Sequence, residues 1–264
     1  MAGEVGAKGP AFSGSHKGGW GGEFEGRPGE LRSPGPPLKD RPLRIAVPVV
    51  AETVGGARRL YLRAARKGLW AEIRLDYLAK PDLKRLFRTL PGPVIATNRP
   101  ASEGGRGAGS ETDRRLLLEE ALDLKVPWLD VEFESEAAWR QELWERRGES
   151  RVILSWHDFS GTPELSFLED RLEEMLAAPA DVLKIVTLAR LPEDALRVLS
   201  LIPKARAAGR EIIAFSMGAA GKWSRLAAPS LGSFLTYAPF SRKGGSAPGQ
   251  VTVNELKRVW KILK

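Results

Sequence analysis

The sequence predicts a single (β/α)8 barrel, and three observations carry that prediction. Eight short runs of apolar and β-branched residues recur from Arg44 to the C-terminus. Segments with a helical period separate them. Run and helix alternate over the whole span, the signature of parallel strands joined by helical crossovers.

In order, the runs are 44–50, 70–78, 93–99, 128–133, 151–159, 182–188, 211–217 and 234–240. Leu165, Leu168, Leu172, Met175 and Leu176 trace one helix face after the fifth run. Leu196, Leu199 and Ile202 trace another behind Pro192, a residue suited to the first helical position. The last helix opens on Thr252-Val253-Asn254-Glu255, a capping-box pattern. It is expected to bury Leu256, Val259, Trp260 and Leu263. The rival architecture, an open doubly wound nucleotide-binding sheet, wants a glycine fingerprint directly after a strand. Gly104-Gly105-Arg106-Gly107-Ala108-Gly109 lacks that spacing, and its helix starts later, near Ser110-Glu111, so it reads as a flexible loop.

Composition narrows the field further. The chain has 264 residues, 42% of them hydrophobic, ample for one core and short for two. Residues 1–42 hold 11 of the 28 glycines and six prolines, with too few apolar residues to offset their ordering entropy. They are expected to be a disordered tail before a barrel domain at 43–264. The tail has no apolar region of a secretory signal, and no run is long enough to span a membrane. The absence of cysteine excludes disulfides, thiolate metal sites and a cysteine nucleophile, and fits a cytoplasmic protein. The net charge of +8 is spread among acids, as in Glu169-Asp170-Arg171 and along 142–147. That pattern describes solvated helix faces rather than a nucleic-acid surface.

The strands carry polar residues that a barrel interior does not ordinarily hold. Parallel strands are buried on both faces, and a charge inside one is costly unless it is paired or functional. Exceptions belong at the carboxyl ends of barrel strands, where reactive groups gather. In the second run, Glu72, Arg74 and Asp76 alternate onto one side. They read either as a lumen ion pair or as partners for the hydroxyls of a polar substrate. The third run ends in Thr97-Asn98-Arg99, with Glu103 shortly after, and the fourth carries Asp130 and Glu132. These two acids read as lumen partners for Arg74 or Arg99. The fifth ends in Ser155-Trp156-His157-Asp158-Phe159; its histidine is one of two in the chain, the other being His16 in the tail. A histidine at that end of a strand is a candidate proton carrier.

Lys184 is the only cation within the sixth run, Val182 to Leu188. Desolvation would lower its pKa and supply a neutral amine that attacks a carbonyl. The alternative is a lysine paired with Glu132. After the seventh run, glycines 218 and 221 and Arg225 suit an anion, with a guanidinium able to clamp a carboxylate. After the eighth, Gly244-Gly245-Ser246-Ala247-Pro248-Gly249-Gln250 reads as a mobile loop with hydrogen-bonding side chains.

Taken together, these motifs resemble the type I 3-dehydroquinate dehydratases, aldolase-like TIM barrels that form a Schiff base. The resemblance covers about residues 44–264. It rests on Glu72-Ile73-Arg74-Leu75-Asp76, Arg99 through Glu103-Gly104-Gly105, Ser155 through Phe159, Lys184-Ile185, Ser216-Met217-Gly218 through Ser224-Arg225, and Ser246 through Gln250. It implies dehydration of 3-dehydroquinate by syn elimination, the third step of the shikimate pathway. Lys184 would form the imine, His157 would act as acid and base, and Glu103 would tune His157. Arg225, Ser246 and Gln250 would bind the carboxylate and hydroxyls, Glu72, Arg74 and Arg99 the remaining hydroxyls, and Met217 the ring. No metal or other cofactor is implied, because the iminium polarises the substrate itself. The resemblance also implies a homodimer acting on a small molecule, in the cytoplasm, without nucleic acid or membrane. Some members lead with a β-hairpin that closes the barrel bottom, where this chain has its Pro/Gly tail; others are fused to a shikimate dehydrogenase, and this chain is expected to be monofunctional. Two other readings are a sugar-phosphate aldolase, which needs a phosphate site after strands seven and eight, and a silent barrel binding RNA, which needs a basic stripe with exposed aromatics.

Overall fold

In the computed structural model, which describes residues 42–106, 109–242 and 250–263, the eight apolar runs become eight parallel strands. They are β1 (Ile45–Val49), β2 (Trp70–Arg74), β3 (Val94–Thr97), β4 (Trp128–Glu132), β5 (Arg151–Asp158), β6 (Val182–Leu188), β7 (Glu211–Met217) and β8 (Thr236–Tyr237). Their order, β7-β6-β5-β4-β3-β2-β1-β8, is that of a nearly closed barrel. At the seam between β7 and β8 the Phe234 amide donates to the Ile212 carbonyl at 2.7 Å. Between the strands lie α1 (Val54–Ala65), α2 (Leu83–Leu86), α3 (Glu111–Asp123), α4 (Ala137–Arg146), α5 (Leu165–Leu176), α6 (Pro192–Ala207), α7 (Gly218–Gly221), α8 (Ser224–Leu231) and α9 (Val253–Leu263). The expected tail lies outside the described residues apart from Pro42, as do Gly107 and Ala108 of the glycine loop and Ser246 of the loop before α9. No described helix is long and apolar enough to cross a membrane.

Local signals explain the helix starts. Ser110 and Asp113 form a reciprocal capping box ahead of α3, so that helix begins where the sequence placed it. Thr252 and Glu255 do the same before α9, each accepting from the other's amide. Two helix faces match expectation except for one leucine in each. In α6 the buried face is Ala195, Val198, Leu199 and Ile202, while Leu196 is 57% exposed. In α9 it is Val253, Leu256 and Trp260, and Leu263 points outward.

The lumen fills in layers drawn from alternate strands. At the bottom Trp70, Trp128 and Phe234 pack with ring centroids 5.2 to 5.7 Å apart. Arg44 lies over the Phe234 ring and donates to the Phe234 carbonyl, closing that end from outside. Above the rings come Ala46, Ile95, Ile153 and Ile213 from the odd strands, all fully buried. The next layer, from the even strands, is Glu72, Asp130, Lys184 and Tyr237, where the interior turns polar. Because the aromatic plug supports the layers above it, Trp128→Ala is expected to cost about 3–5 kcal/mol. A denaturant titration that finds the midpoint unmoved would contradict that role.

Candidate active site

Lys184 projects from the middle of β6 into a cleft of about 470 Å³ at the carboxyl ends of the strands. Its own strand is apolar, as the sequence implied, but the strands across the lumen are not. Lys184 Nζ lies 2.8 Å from Asp130 Oδ2 on β4 and 3.4 Å from Glu72 Oε1 on β2. The sequence argument considered a desolvated amine; here two carboxylates stand against it. Glu132 is not its partner: that acid meets Arg99 and Arg114 instead. The Tyr237 ring completes the surroundings, 4.7 Å from the amine.

Arg99 ties the acids together. Its Nη1 donates to Glu132 at 2.7 Å, to Ser155 at 2.8 Å and to Glu103 at 3.3 Å, while Nη2 donates to Asp130 at 2.5 Å. Burial pushes the Asp130 carboxyl up, but Arg99 and Lys184 outweigh it and hold it well below the usual carboxylate range. Burial wins at Glu132, which is raised despite Arg99 and Arg114. Arg114 extends the network to the surface, bonding Glu132 inside and Glu111 and Ser135 outside. Sequence reasoning missed Arg114 because it sits among ordinary helix charges.

His157 stands at the end of β5, where the Asp158 side chain accepts from the Ser160 and Gly161 amides and stops the strand. His157 Nδ1 lies 2.7 Å from Glu103 Oε2. Burial, then the Arg99 and Lys184 charges, hold the imidazole well below its ordinary pKa, so it is uncharged at neutral pH. Burial also pushes the Glu103 carboxyl up, to about 8, against the pull of Arg99. Glu103 reaches this place through a tight turn at Gly104, with φ of +72°. A Cβ there would lie 2.3 Å from the Phe159 ring, and one at Gly105 would strike the Arg99 carbonyl. The paired glycines that seemed a weak motif let the chain fold under Phe159.

The opposite wall is cationic. Ser224 accepts the Ser216 amide of β7 and donates to the Gly221 carbonyl, which seats the first turn of α8. Arg225, next in sequence, is buried over the Phe215 ring, 4.1 Å from its centroid. Among the described residues no carboxylate forms an ion pair with it, and burial pushes its pKa down to about 10. Met217 and Gln250 line the same wall.

Every site residue expected from the sequence and described here therefore borders one cleft: Glu72, Arg74, Arg99, Glu103, His157, Lys184, Met217, Arg225 and Gln250. Ser246 lies outside the described residues. One expectation about orientation changes: β2 ends at Arg74, and the following 3-10 turn swings Asp76 back to clamp Arg74 with bonds of 2.8 and 2.7 Å. Val186, Phe215 and Tyr237 also line the cleft and were not singled out, since an apolar or aromatic residue in a strand carries no signal of its own.

Comparison with known proteins bears on the same residues. A profile of the type I 3-dehydroquinase family matches residues 45–264, the whole barrel. The chain belongs to the type I 3-dehydroquinase family. Membership makes it an enzyme, a carbon–oxygen lyase. The 3-dehydroquinate dehydratase of Desulfotalea psychrophila is 37% identical over 193 residues, 72% of this chain and 84% of that one. That of Methanosarcina barkeri is 35% identical over 228 residues, covering 82% and 94%. The crystal structure of the Geobacillus kaustophilus 3-dehydroquinate dehydratase superposes with a TM-score of 0.77 at 26% identity, covering 84% of this chain and 91% of that one.

Removing the hub of this type I 3-dehydroquinase site has a pH signature. Arg99→Met leaves buried carboxylates uncompensated and is expected to cost about 3–5 kcal/mol at neutral pH. In the wild type Asp130 is held below its ordinary value of 3.8, so its contribution is full above that pH and lost on acidification. Without Arg99, burial raises the carboxylates, and the penalty grows as they are forced to ionise with rising pH. Urea midpoints should show the gap between wild type and variant wider at pH 8 than at pH 5. An equal gap at both would refute the assignment of Arg99 as charge hub.

Proposed function

We propose that the protein dehydrates 3-dehydroquinate to 3-dehydroshikimate by syn elimination of water through an imine on Lys184. The reading places it at the third step of the shikimate pathway to aromatic amino acids, working as a homodimer in the cytoplasm. One observation carries it: a buried lysine, an uncharged histidine on the adjoining strand, and an arginine without a carboxylate partner face a single cleft. Those three groups suit a ketone, an acidic C–H bond and a carboxylate on one small molecule.

Lys184 condenses with the substrate ketone and releases water, leaving an iminium that acidifies the neighbouring C–H bond. His157 takes that proton at Nε2, the ring nitrogen that does not face Glu103. The same imidazole then gives the proton to the departing hydroxyl, so abstraction and departure occur on one face. Water hydrolyses the product imine and restores Lys184. Arg225 takes the carboxylate, with Gln250 as a further partner; Glu72, Arg74 and Arg99 meet the ring hydroxyls and Met217 packs on the ring.

Borohydride added with 3-dehydroquinate should reduce the imine and leave a stable mass increment on Lys184, with activity destroyed. A modified protein that carries no label on that residue would sink the mechanism. His157→Ala should still form the adduct while turnover drops by about 10²–10⁴. A wild-type kcat in that variant would remove His157 from the proton transfers.

A further inference from the structure

Tyr237 is the polar side chain of the cleft that the proposed mechanism leaves without work. It belongs to the same lumen layer as Glu72, Asp130 and Lys184, and is 4% exposed. Its hydroxyl is shut from solvent and has no hydrogen-bond partner among the described residues. The Glu72 carboxylate is the acidic group it faces in the lumen, and that carboxylate helps to hold the hydroxyl protonated. Leaving a buried hydroxyl unsatisfied costs about 1–3 kcal/mol, so its retention calls for a partner that arrives later.

Barrel order says where that partner stands. His157, on β5, approaches Lys184 from one side. Tyr237, on β8, approaches from the other, beyond β7, with its ring against the amine. A ketone attacked by Lys184 turns its oxygen to one of these two sides. Glu103 holds His157, which must reach the neighbouring carbon. The oxygen on the β8 side needs a donor of its own.

We propose that the Tyr237 hydroxyl donates a hydrogen bond to the substrate oxygen as Lys184 adds to the ketone, stabilising the carbinolamine and its loss of water. The inference rests on the imine reading given above. In net terms, the Lys184 ammonium and the ketone become an iminium and water. A C–N bond forms, the C–O bond breaks, and two ammonium protons leave with the oxygen. Tyr237 transfers no proton: burial, then Glu72 and Asp130, hold its pKa well above the ordinary value, so it serves as a fixed donor where negative charge develops.

Tyr237→Phe removes the donor and keeps the ring. Its kcat should fall about five- to tenfold, the loss of one such bond, with KM little changed. Imine formation is read directly in His157→Ala, where the later proton transfer is blocked: rapid mixing with 3-dehydroquinate, a borohydride quench, and mass spectrometry of the Lys184 peptide. Adding Tyr237→Phe to that background should slow label accumulation by the same factor, while the thermal midpoint holds or rises. An unchanged labelling rate overturns the role of Tyr237 and leaves the imine standing. A midpoint that drops with labelling unchanged assigns the hydroxyl a structural role and likewise overturns it. No label on Lys184 in either background or the wild type overturns both readings.

Discussion

Holding the Lys184 ammonium inside the barrel is the constraint on which the rest of the interior depends. A buried cation without a counter-charge is untenable, so Asp130 and Glu72 turn toward it. Two carboxylates around one lysine then create the opposite problem, and Arg99 answers it by bonding Asp130, Glu132 and Glu103 together. Arg114 carries the compensation outward to half-exposed Glu111. Each charge is tolerable because of the next, and the chain of pairs ends where water takes over.

The barrel is thereby divided along its axis. The bottom is aromatic and aliphatic, and its packing supplies rigidity without any electrostatic cost. The top is a network of fully buried ion pairs, which contributes little net stability but fixes orientation. Side chains locked at both ends of a bond have few alternative rotamers. Arg99, bonded to four side chains, leaves Glu103 and hence His157 little freedom. In the proposed mechanism, a proton carrier that serves two atoms in turn would benefit from such a fixed pivot.

The cleft also separates its charges. Acids and their cationic partners gather around β2 to β6, while Arg225, on the β7–β8 side, sits on an aromatic ring without an anion. An incoming carboxylate would complete that side, and its position would set which end of a keto acid reaches Lys184. In the proposed reaction, orientation and chemistry would fall to different strands, as befits a fold whose loops and strand ends vary independently.

Much of this was legible in the residue order. The alternation of runs and helical segments determined the barrel, and polar residues at strand ends picked out Lys184, His157, Glu103 and Arg225, because a buried strand tolerates such groups only for cause. Other features were decided by tertiary structure. Which carboxylate meets Lys184 depends on how strands separated by more than fifty residues are staggered around the barrel, and that stagger chose Asp130 over Glu132. Asp76 left its expected alternation because β2 ended one turn sooner. Leu196 and Leu263 faced outward, while Leu199 and Leu256 of the same helices were buried. Tyr237 looked like one more aromatic in a strand; only the closed lumen, which brings β8 round to β6, set its ring against the lysine. Sequence determines which groups are too polar to be buried idly, while the closure of the sheet decides which of them meet.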